Sequence, residues 1–264
     1  MNEDAKKWIW WAIPIAVVVA IGAALYYGYK QKQPQPSAQV EQTPQETPVE
    51  PAIKHPLPED EAQQEPLPTL EESDASVHES LTNTFGERLD QFLVSKNLIR
   101  HTVVTIDNLP RKKTAVQMWP LKPMPGELIV KSSDTEITLD ETNFARYAPL
   151  IGLLQKADTQ QVAALYRRYY PLLQQAYVDL GYPDGYFNDR LVEVIDHLLE
   201  TPEVQGPIKL TQPSVHYEYA DPSLESRSAG QKLLIRMGPA NAAAVKQKLR
   251  EFRAAIAKPA SPPG

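Results

Sequence analysis

Cysteine is absent from the 264-residue chain, which excludes structural disulfides and thiolate chemistry. The chain also lacks four local signatures of catalysis or cofactor binding, namely G-x-S-x-G, H-E-x-x-H, G-x-x-x-x-G-K-[ST] and G-x-G-x-x-G. No catalytic residue is therefore assigned, and no cofactor or metal is expected. Because the members of a catalytic triad need not be close in sequence, an enzyme stays an alternative.

An excess of positive charge is also missing. The formal net charge is −6, and residues 33–76 alone hold ten acidic residues and one lysine. The rest of the chain is therefore close to neutral. Nucleic-acid binding usually needs a broad positive field, so the composition argues against a nucleic-acid partner.

A long apolar run covers residues 8–29 and predicts a transmembrane helix. A helix of this length spans about 30 Å of hydrocarbon, and the run has tryptophans at one end and tyrosines at the other, like interfacial aromatic belts. The alternative is a cleaved signal peptide, but its apolar region is usually only about 7–15 residues long. Two lysines flank each end, so the positive-inside rule is nearly undecided. The short tail of residues 1–7 favours a cytoplasmic amino terminus.

Residues 30–70 are rich in proline, glutamine and glutamate and predict a disordered linker. Such a composition cannot bury enough apolar surface to offset its ordering entropy. The Pro-Leu-Pro sequences at residues 56–58 and 66–68 would be docking sites on an alternative interpretation, but the composition favours an acidic spacer. A folded domain is expected at residues 71–258, followed by a disordered tail at 259–264.

The folded domain is organised around an αα-hairpin predicted at residues 162–199. Gly181 takes the C′ position of the first helix, and the turn that follows contains proline, aspartate and glycine. Asn188 is assigned as the N-cap of the second helix. Apolar residues recur at helical spacing in both halves, and they are Leu165, Leu172, Leu173, Ala176, Leu180, Leu191, Val194, Ile195 and Leu198.

Other local patterns predict a mainly helical α+β domain with a few short strands. A helix is expected at residues 98–109, although the β-branched run at 102–106 would also suit a strand. A β-hairpin is expected at 128–139 and a half-buried strand at 214–220. In that last strand Val215 is placed on the same face as two tyrosines. The fold class is therefore one α+β domain, mainly α-helical, after a transmembrane helix and a disordered linker.

Helix ends have their own signals. Asp158 and Ser228 each begin a capping-box pattern, and Gly238-Pro239 indicates a sharp corner between two helices. The final helix carries an apolar stripe that ends at Ile256, and Lys246 is placed on its solvated flank.

Five blocks together resemble one protein family. They are DNLPR at 107–111, YYPL at 169–172, GYPD at 181–184, YFNDRLVEVIDHLLE at 186–200 and AGQKLLIRMGP at 229–239. The chain resembles, over roughly residues 71–256, a proteobacterial family of membrane-anchored proteins classed as a domain of unknown function, number three thousand and fourteen. The resemblance implies an envelope protein of Gram-negative bacteria with an amino-terminal anchor. It implies no activity, and it carries no catalytic residues.

Acidic side chains crowd one face of the second hairpin helix. Asp189, Glu193 and Asp196 fall within a narrow arc, which would suit a divalent cation or a basic partner. A solvated helix face is the simpler interpretation. Glu193 and His197 also have i, i+4 spacing, but one such pair lacks the third and fourth ligands of a zinc site.

The strongest candidate site is the turn of the hairpin, which we assign to partner binding. Tyrosine and arginine are enriched at interface hot spots, and the assigned residues are Tyr182, Asp184, Tyr186, Asp189, Arg190, Arg167 and Arg168. The alternative is that the tyrosines are half-buried and that their hydroxyls stabilise the turn. If the site is functional, replacing Tyr186 and Arg190 with alanine should abolish capture of a partner at little expense to the fold.

The function expected from the sequence is that of a single-pass inner-membrane protein that presents a periplasmic interaction or scaffolding domain, with another envelope protein as its partner. The alternative is a small hydrolase-like enzyme that acts on an envelope component and uses the acidic hairpin as its site. A buried pocket that holds Asp189, Glu193 and His197 together would favour that enzyme.

Overall fold

Nine α-helices make up most of the described part of the chain, which comprises residues 53–57 and 66–257 of a computed structural model. In chain order they are α1 (Asp74–Phe85), α2 (Leu98–Asn108), α3 (Thr142–Ala145), α4 (Ala148–Lys156), α5 (Thr159–Asp179), α6 (Phe187–Leu199), α7 (Pro222–Glu225), α8 (Ala229–Arg236) and α9 (Pro239–Ile256). Short 3-10 helices lie at Leu70–Glu72, Glu87–Leu89 and Val116–Met118. The mainly helical α+β class is confirmed.

The predicted tail, transmembrane helix and carboxyl-terminal segment (residues 1–7, 8–29 and 259–264) lie outside the described residues. Within the described residues, no helix has both the length and the apolar character needed to cross a membrane. The structure describes two parts of the predicted linker, one of which includes Leu70. This leucine is buried in the core, one residue before the predicted start of the folded domain.

The helical core forms where α5 packs against α2 and α9. Leu172 of α5 and Val103 of α2 share a buried cluster with Phe187, the first residue of α6. Further along α6, Ile195 packs in a second cluster with Ile256 of α9. A third cluster joins α6 to α8. The predicted hairpin of α5 and α6 therefore lies at the centre of the domain, as its two apolar stripes indicate.

Several helix ends follow their sequence signals. The carboxylate of Asp158 accepts hydrogen bonds from the amides of Gln160 and Gln161, which caps α5. The Ser228 hydroxyl caps α8 in the same way. Gly181 has φ +112°, a left-handed conformation that favours glycine, directly after α5. These predicted caps are confirmed because each depends on contacts within a few residues.

The N-cap assigned to Asn188 is wrong. Helix α6 begins at Phe187, with Tyr186 in the N-cap position, and Asn188 lies buried in the first turn. The Phe187 amide donates instead to the side-chain oxygen of Gln174 on α5, 2.8 Å away. The side chain of Gln174, on the neighbouring helix, therefore accepts a hydrogen bond from an amide at the start of α6. The sequence pattern assigns this role to a local N-cap residue.

A small antiparallel sheet packs beside the helices, with strand order β1-β2-β3-β4. Its strands are β1 (Val130–Ser132), β2 (Ile137–Leu139), β3 (Lys209–Thr211) and β4 (Glu218–Tyr219). The predicted hairpin at 128–139 is confirmed by the pairing of Val130 with Leu139. The inner face of the sheet packs against Ile235 of α8.

The strand predicted at residues 214–220 is wrong in its first half. Leu210 pairs with Tyr219 and Thr211 with Glu218, so residues between these pairs form the connection from β3 to β4. Val215, predicted to face the core, lies in this connection and is 83% exposed. The alternation of apolar residues that predicts a strand continues through this connection. However, β3 ends at Thr211, so β3 offers these residues no partner.

Two further placements in the helical region need correction. Lys246 does not lie on the solvated flank of α9, because it is buried and its ammonium group donates to the backbone oxygen of Thr201. Leu180, counted in the apolar stripe of the hairpin, is 38% exposed at the end of α5. Leu180 is the C-cap residue, after the last residue of α5, and the helical spacing that predicts its burial ends there.

Candidate partner-binding site

The turn between α5 and α6 is tied to α5 by Gln174. The Gln174 side-chain amide donates to the Gly185 oxygen at 2.7 Å, while its oxygen accepts from the Tyr170 hydroxyl and the Phe187 amide. Gly185 is needed at this close approach, because a Cβ atom there would lie 2.7 Å from the Tyr177 ring. The conformation of the turn is therefore set by non-local contacts with α5.

Tyr182 lies against the protein and is half-buried. Its ring stacks on that of Tyr177, with the two centroids 4.6 Å apart. Its hydroxyl donates to the Asp107 carboxylate and accepts from Arg111, both at 3.3 Å. Burial raises the pKa of the Tyr177 hydroxyl. Tyr182 therefore fits the alternative interpretation, in which the tyrosines of the turn are half-buried and their hydroxyls stabilise the turn.

Arg190 ties the turn to a buried carboxylate, that of Asp107 at the end of α2. Its Nε atom lies 3.1 Å from Asp107 Oδ1, and its Nη2 atom donates to the Asp107 backbone oxygen at 2.9 Å. Arg111 binds the other carboxylate oxygen at 2.6 Å. The side chain of Asp107 is only 3% exposed. A buried carboxylate needs such partners, so Arg190 has a structural role.

Arg190 also pairs with Glu193, one turn along α6, at 3.0 Å. Burial lowers the pKa of Arg190, but the pairs with Glu193 and Asp107 more than offset this, and the pKa is held above its ordinary value. We therefore correct one expectation: replacing Arg190 with alanine will not leave the fold unperturbed.

Residues 53–57, which we call the docked segment, lie against the start of α6. The Asp189 carboxylate accepts two hydrogen bonds from this segment. Its Oδ2 atom accepts from the Lys54 amide at 2.9 Å, and its Oδ1 atom accepts from the His55 amide at 2.7 Å. The Tyr186 hydroxyl accepts the amide of Leu57 at 3.2 Å. Two residues assigned to partner binding therefore hold a peptide from the chain's own predicted linker.

Asn188 binds the docked segment through a hydrogen bond to its backbone. Its side-chain amide donates to the backbone oxygens of His55 (2.7 Å) and Ile256 (3.1 Å), and its oxygen accepts from the Tyr166 hydroxyl (2.9 Å). Burial raises the pKa values of the Tyr166 and Tyr170 hydroxyls, so both stay protonated. Asn188 therefore joins the segment, the end of α9 and α5 through one fully buried side chain.

An open cleft of about 950 Å³ lies between the docked segment and the exposed face of α6. Its carboxylates outnumber its cationic side chains, and they belong to Asp184, Asp189, Glu193, Asp196 and Glu200. Lys54 and Arg190 supply the positive charges. The five carboxylates exceed these two cations, so the cleft has an excess of negative charge.

Four of the seven assigned site residues line this cleft, and they are Asp184, Tyr186, Asp189 and Arg190. Tyr182 faces Asp107 instead. Arg167 and Arg168 lie on α5 more than ten residues before the turn, about 15 Å or more along the helix axis. Neither of these arginines lines the cleft.

The cleft also contains the residues on which the enzyme alternative depends. Asp189, Glu193 and His197 all line it, but it is open, and each side chain contacts a different structural partner. The Nε2 atom of His197 lies 2.8 Å from the Ser228 hydroxyl, and Asp196 pairs with Arg253. Among the described residues, no group of three or more histidine or acidic side chains is arranged to hold a metal ion.

Sequence reasoning missed three parts of this site: Asp107, Gln174 and the docked segment. The first two lie far in sequence from the residues that they contact, and no local pattern marks them. For the docked segment the signal is the Pro-Leu-Pro sequence at residues 56–58, although the composition around it favours a spacer.

The fold and the site define a mainly helical α+β domain with an acidic cleft beside its central hairpin. A family model described as a protein of unknown function (DUF3014) matches residues 98–253. This match covers more than half of the chain, and the chain belongs to that family. No curated protein and no solved structure matches the chain significantly.

Proposed function

We propose that the protein is a tethered interaction module: a single-pass inner-membrane protein whose periplasmic domain binds another envelope protein through the cleft beside α6. The observation that carries this proposal is the docked segment. Tyr186, Asn188 and Asp189 already hold a peptide by its backbone, through four hydrogen bonds. A surface that binds one segment by its backbone in this way has the chemistry to bind another.

The charge of the cleft supports the same proposal. Three of its five carboxylates belong to α6, one lies in the turn before this helix and one directly after it, and Glu193 is 69% exposed at its side chain. Such a surface favours a partner that carries lysine or arginine, since complementary charge speeds association and excludes partners of the same sign. The hydrolase alternative receives no comparable support, because Asp189 binds two backbone amides, Glu193 pairs with Arg190 and His197 contacts the Ser228 hydroxyl.

The membrane part of the proposal depends on the sequence. Residues 8–29 have the length and the aromatic ends of a transmembrane helix, and the short tail before them favours a cytoplasmic amino terminus. Full-length protein should stay with membranes after an alkaline wash. Its domain should become accessible to protease only once the outer membrane is opened, and digestion from the cytoplasmic side would contradict the proposal.

The cleft itself is tested by charge reversal in the native full-length protein. Asp184→Lys combined with Glu193→Lys should abolish chemical crosslinking to the partner in intact cells, because both carboxylates line the cleft and both residues are exposed. The matched control is Glu79→Lys combined with Glu141→Lys, at two exposed acidic residues outside the cleft. Equal capture by both double variants would show that the cleft does not bind the partner.

A further inference from the structure

We infer that the surface at the start of α6, beside the cleft, recognises a basic peptide with the pattern basic–any–proline–aliphatic, and that residues 53–57 occupy this surface in cis until a partner segment of the same chemistry replaces them. This inference rests on the proposed interaction function and specifies its partner. The partner is a segment of another protein that bends as Lys54 and His55 do, and it is identified by this backbone conformation, its charge and one apolar side chain.

Backbone recognition is the first part of the argument. Asp189 binds two successive amides, those of Lys54 and His55, with one carboxylate oxygen each. Asn188 then donates to the His55 oxygen, and Tyr186 accepts the Leu57 amide. All four bonds go to backbone atoms, so any peptide that adopts the same conformation can make them. Side chains of the peptide then decide which sequences bind well.

Proline fits one position of this pattern. The site uses the amides of residues 54, 55 and 57, and Pro56 falls at the position between them whose amide is not used. Proline has no amide hydrogen and restricts its own φ, so at this position it loses no contact and reduces the conformational freedom that the peptide gives up on binding. A proline at residue 55 would remove one bond to Asp189.

An apolar contact selects the residue after the proline. The Leu57 side chain packs against the buried cluster that contains Leu191, Val192, Ile195 and Ile256. This cluster belongs to the core of the domain and not to the open part of the cleft. A peptide with a polar residue at this position would leave part of the cluster exposed, which disfavours its binding.

Charge selects the basic residue. Lys54 lines the cleft together with Asp184, Asp189 and Glu193, and its side chain stays exposed. A glutamate at the same position would add a sixth carboxylate to the five already present. Both the negative charge of the cleft and the lysine of the docked segment therefore point to a cationic partner.

Exchange is possible because the docked segment is held by few contacts. Ile53 is 52% exposed, and Lys54 and Pro56 are exposed as well. A segment tethered to its own site has an effective concentration on the order of millimolar, which favours the cis arrangement without strong contacts. A partner segment of equal or better fit can then compete when it is presented at high local concentration.

The experiment uses the full-length chain in detergent and a fluorescent synthetic peptide with the sequence of residues 52–59, AIKHPLPE. The tested variant has residues 53–57 replaced by Gly-Ser-Gly-Ser-Gly. Fluorescence anisotropy should show that this variant binds the peptide about tenfold more tightly than the wild type, or better, because the tethered competitor is gone. Equal affinity for both chains would overturn cis occupancy.

Specificity is tested in the replaced background. Asp189→Ala should weaken peptide binding about tenfold or more, because it removes both acceptors of the two amides, whereas Glu79→Lys should leave the affinity unchanged. A peptide with proline at the position of His55, or with glutamate at that of Lys54, should bind more weakly than the parent. Circular dichroism checks that the Asp189→Ala chain is folded.

The outcomes separate this inference from the proposed function. If the replaced variant does not bind the peptide at millimolar concentration, or if Asp189→Ala has no effect on binding, the inference is wrong. If charge reversal at Asp184 and Glu193 nevertheless abolishes partner capture, the proposed function stands with a different kind of ligand. If capture survives charge reversal and the peptide still binds as expected, the cleft holds only the cis segment and the proposed function is wrong.

Discussion

Two ion pairs extend from opposite ends of α6, and they differ in their surroundings more than in their geometry. Arg190 lies 3.1 Å from Asp107, and Asp196 lies 2.8 Å from the Nη2 atom of Arg253. The carboxylate of the first pair is 3% exposed, whereas that of the second is 46% exposed. Contact distance alone would rank the exposed pair as the stronger one.

Burial makes the difference between them. Asp107 is surrounded by protein and receives hydrogen bonds from Arg190, Arg111 and Tyr182, so loss of a partner leaves a charge that water cannot reach. Asp196 and Arg253 are both solvated, and water replaces either partner at little cost. We therefore expect the first pair to stabilise the turn of the candidate site strongly, and the second to add little to the packing of α6 on α9.

The largest effect is expected at the buried pair. Arg190→Ala should lower the free energy of unfolding of the full-length chain by about 3 kcal/mol, because it removes one of two cationic partners from the buried Asp107 carboxylate. Chemical denaturation followed by circular dichroism measures the change. Arg250→Ala, at an exposed arginine of α9, is the control. A loss below about 1 kcal/mol would mean that Arg111 alone satisfies Asp107, and the contrast with the exposed pair would fail.

An intermediate effect is expected at Asp189, where a carboxylate binds backbone amides that are partly exposed. Asp189→Ala should cost about 1–2 kcal/mol, since two charge-assisted hydrogen bonds are lost but the freed amides of Lys54 and His55 turn to water. Hydrogen exchange at those two amides should accelerate, while amides in α2 keep their protection. Unchanged exchange at residues 54 and 55 would show that Asp189 does not hold the segment.

A smaller effect is expected at the exposed pair. Asp196→Ala should cost about 0.5 kcal/mol, as is usual for solvated ion pairs. A double-mutant cycle with Arg253→Ala should give a coupling energy of the same size, which falls in 1 M salt because screening acts on exposed charges. A coupling above about 2 kcal/mol would place this pair in the same class as Arg190 and Asp107.

The smallest effect is expected at Glu193, the second partner of Arg190. Glu193→Ala removes an i, i+3 pair on the helix surface, which is worth about 0.3 kcal/mol. The change in melting temperature should therefore be close to the error of a thermal scan. Glu193→Gln is the matched control, because it keeps the shape of the side chain. A larger loss with alanine than with glutamine would indicate packing rather than charge.

Most helices of this fold can be predicted from the sequence, because their signals are local. Asp158 caps a helix through amides two and three residues away, and Gly238 has φ +82° next to Pro239, as the corner between α8 and α9 requires. Such features need only the conformation of a few adjacent residues. The four-stranded sheet was only partly predictable, because β3 and β4 are two or three residues long and β3 pairs with β2, which is distant in sequence.

The candidate site was predicted in composition but not in arrangement. The sequence pattern placed Tyr186, Asp189 and Arg190 together, and all three line one cleft. It could not show that Arg190 points to Asp107, 83 residues earlier, or that Asp189 binds Lys54, 135 residues earlier. The spacing of polar residues indicates which face of a helix is polar. It does not indicate which distant part of the chain contacts that face.

The buried ammonium group of Lys246 has a practical consequence for amine chemistry on this protein. Acylating reagents and amine-reactive crosslinkers must reach the side-chain nitrogen, and Lys246 is only 8% exposed, whereas Lys112 and Lys113 are exposed. Lys246 should therefore be modified last, at a rate limited by opening of the contact between its nitrogen and the Thr201 oxygen. A crosslink from Lys246 identifies an opened chain, so this residue distinguishes native contacts from artefacts within the same sample.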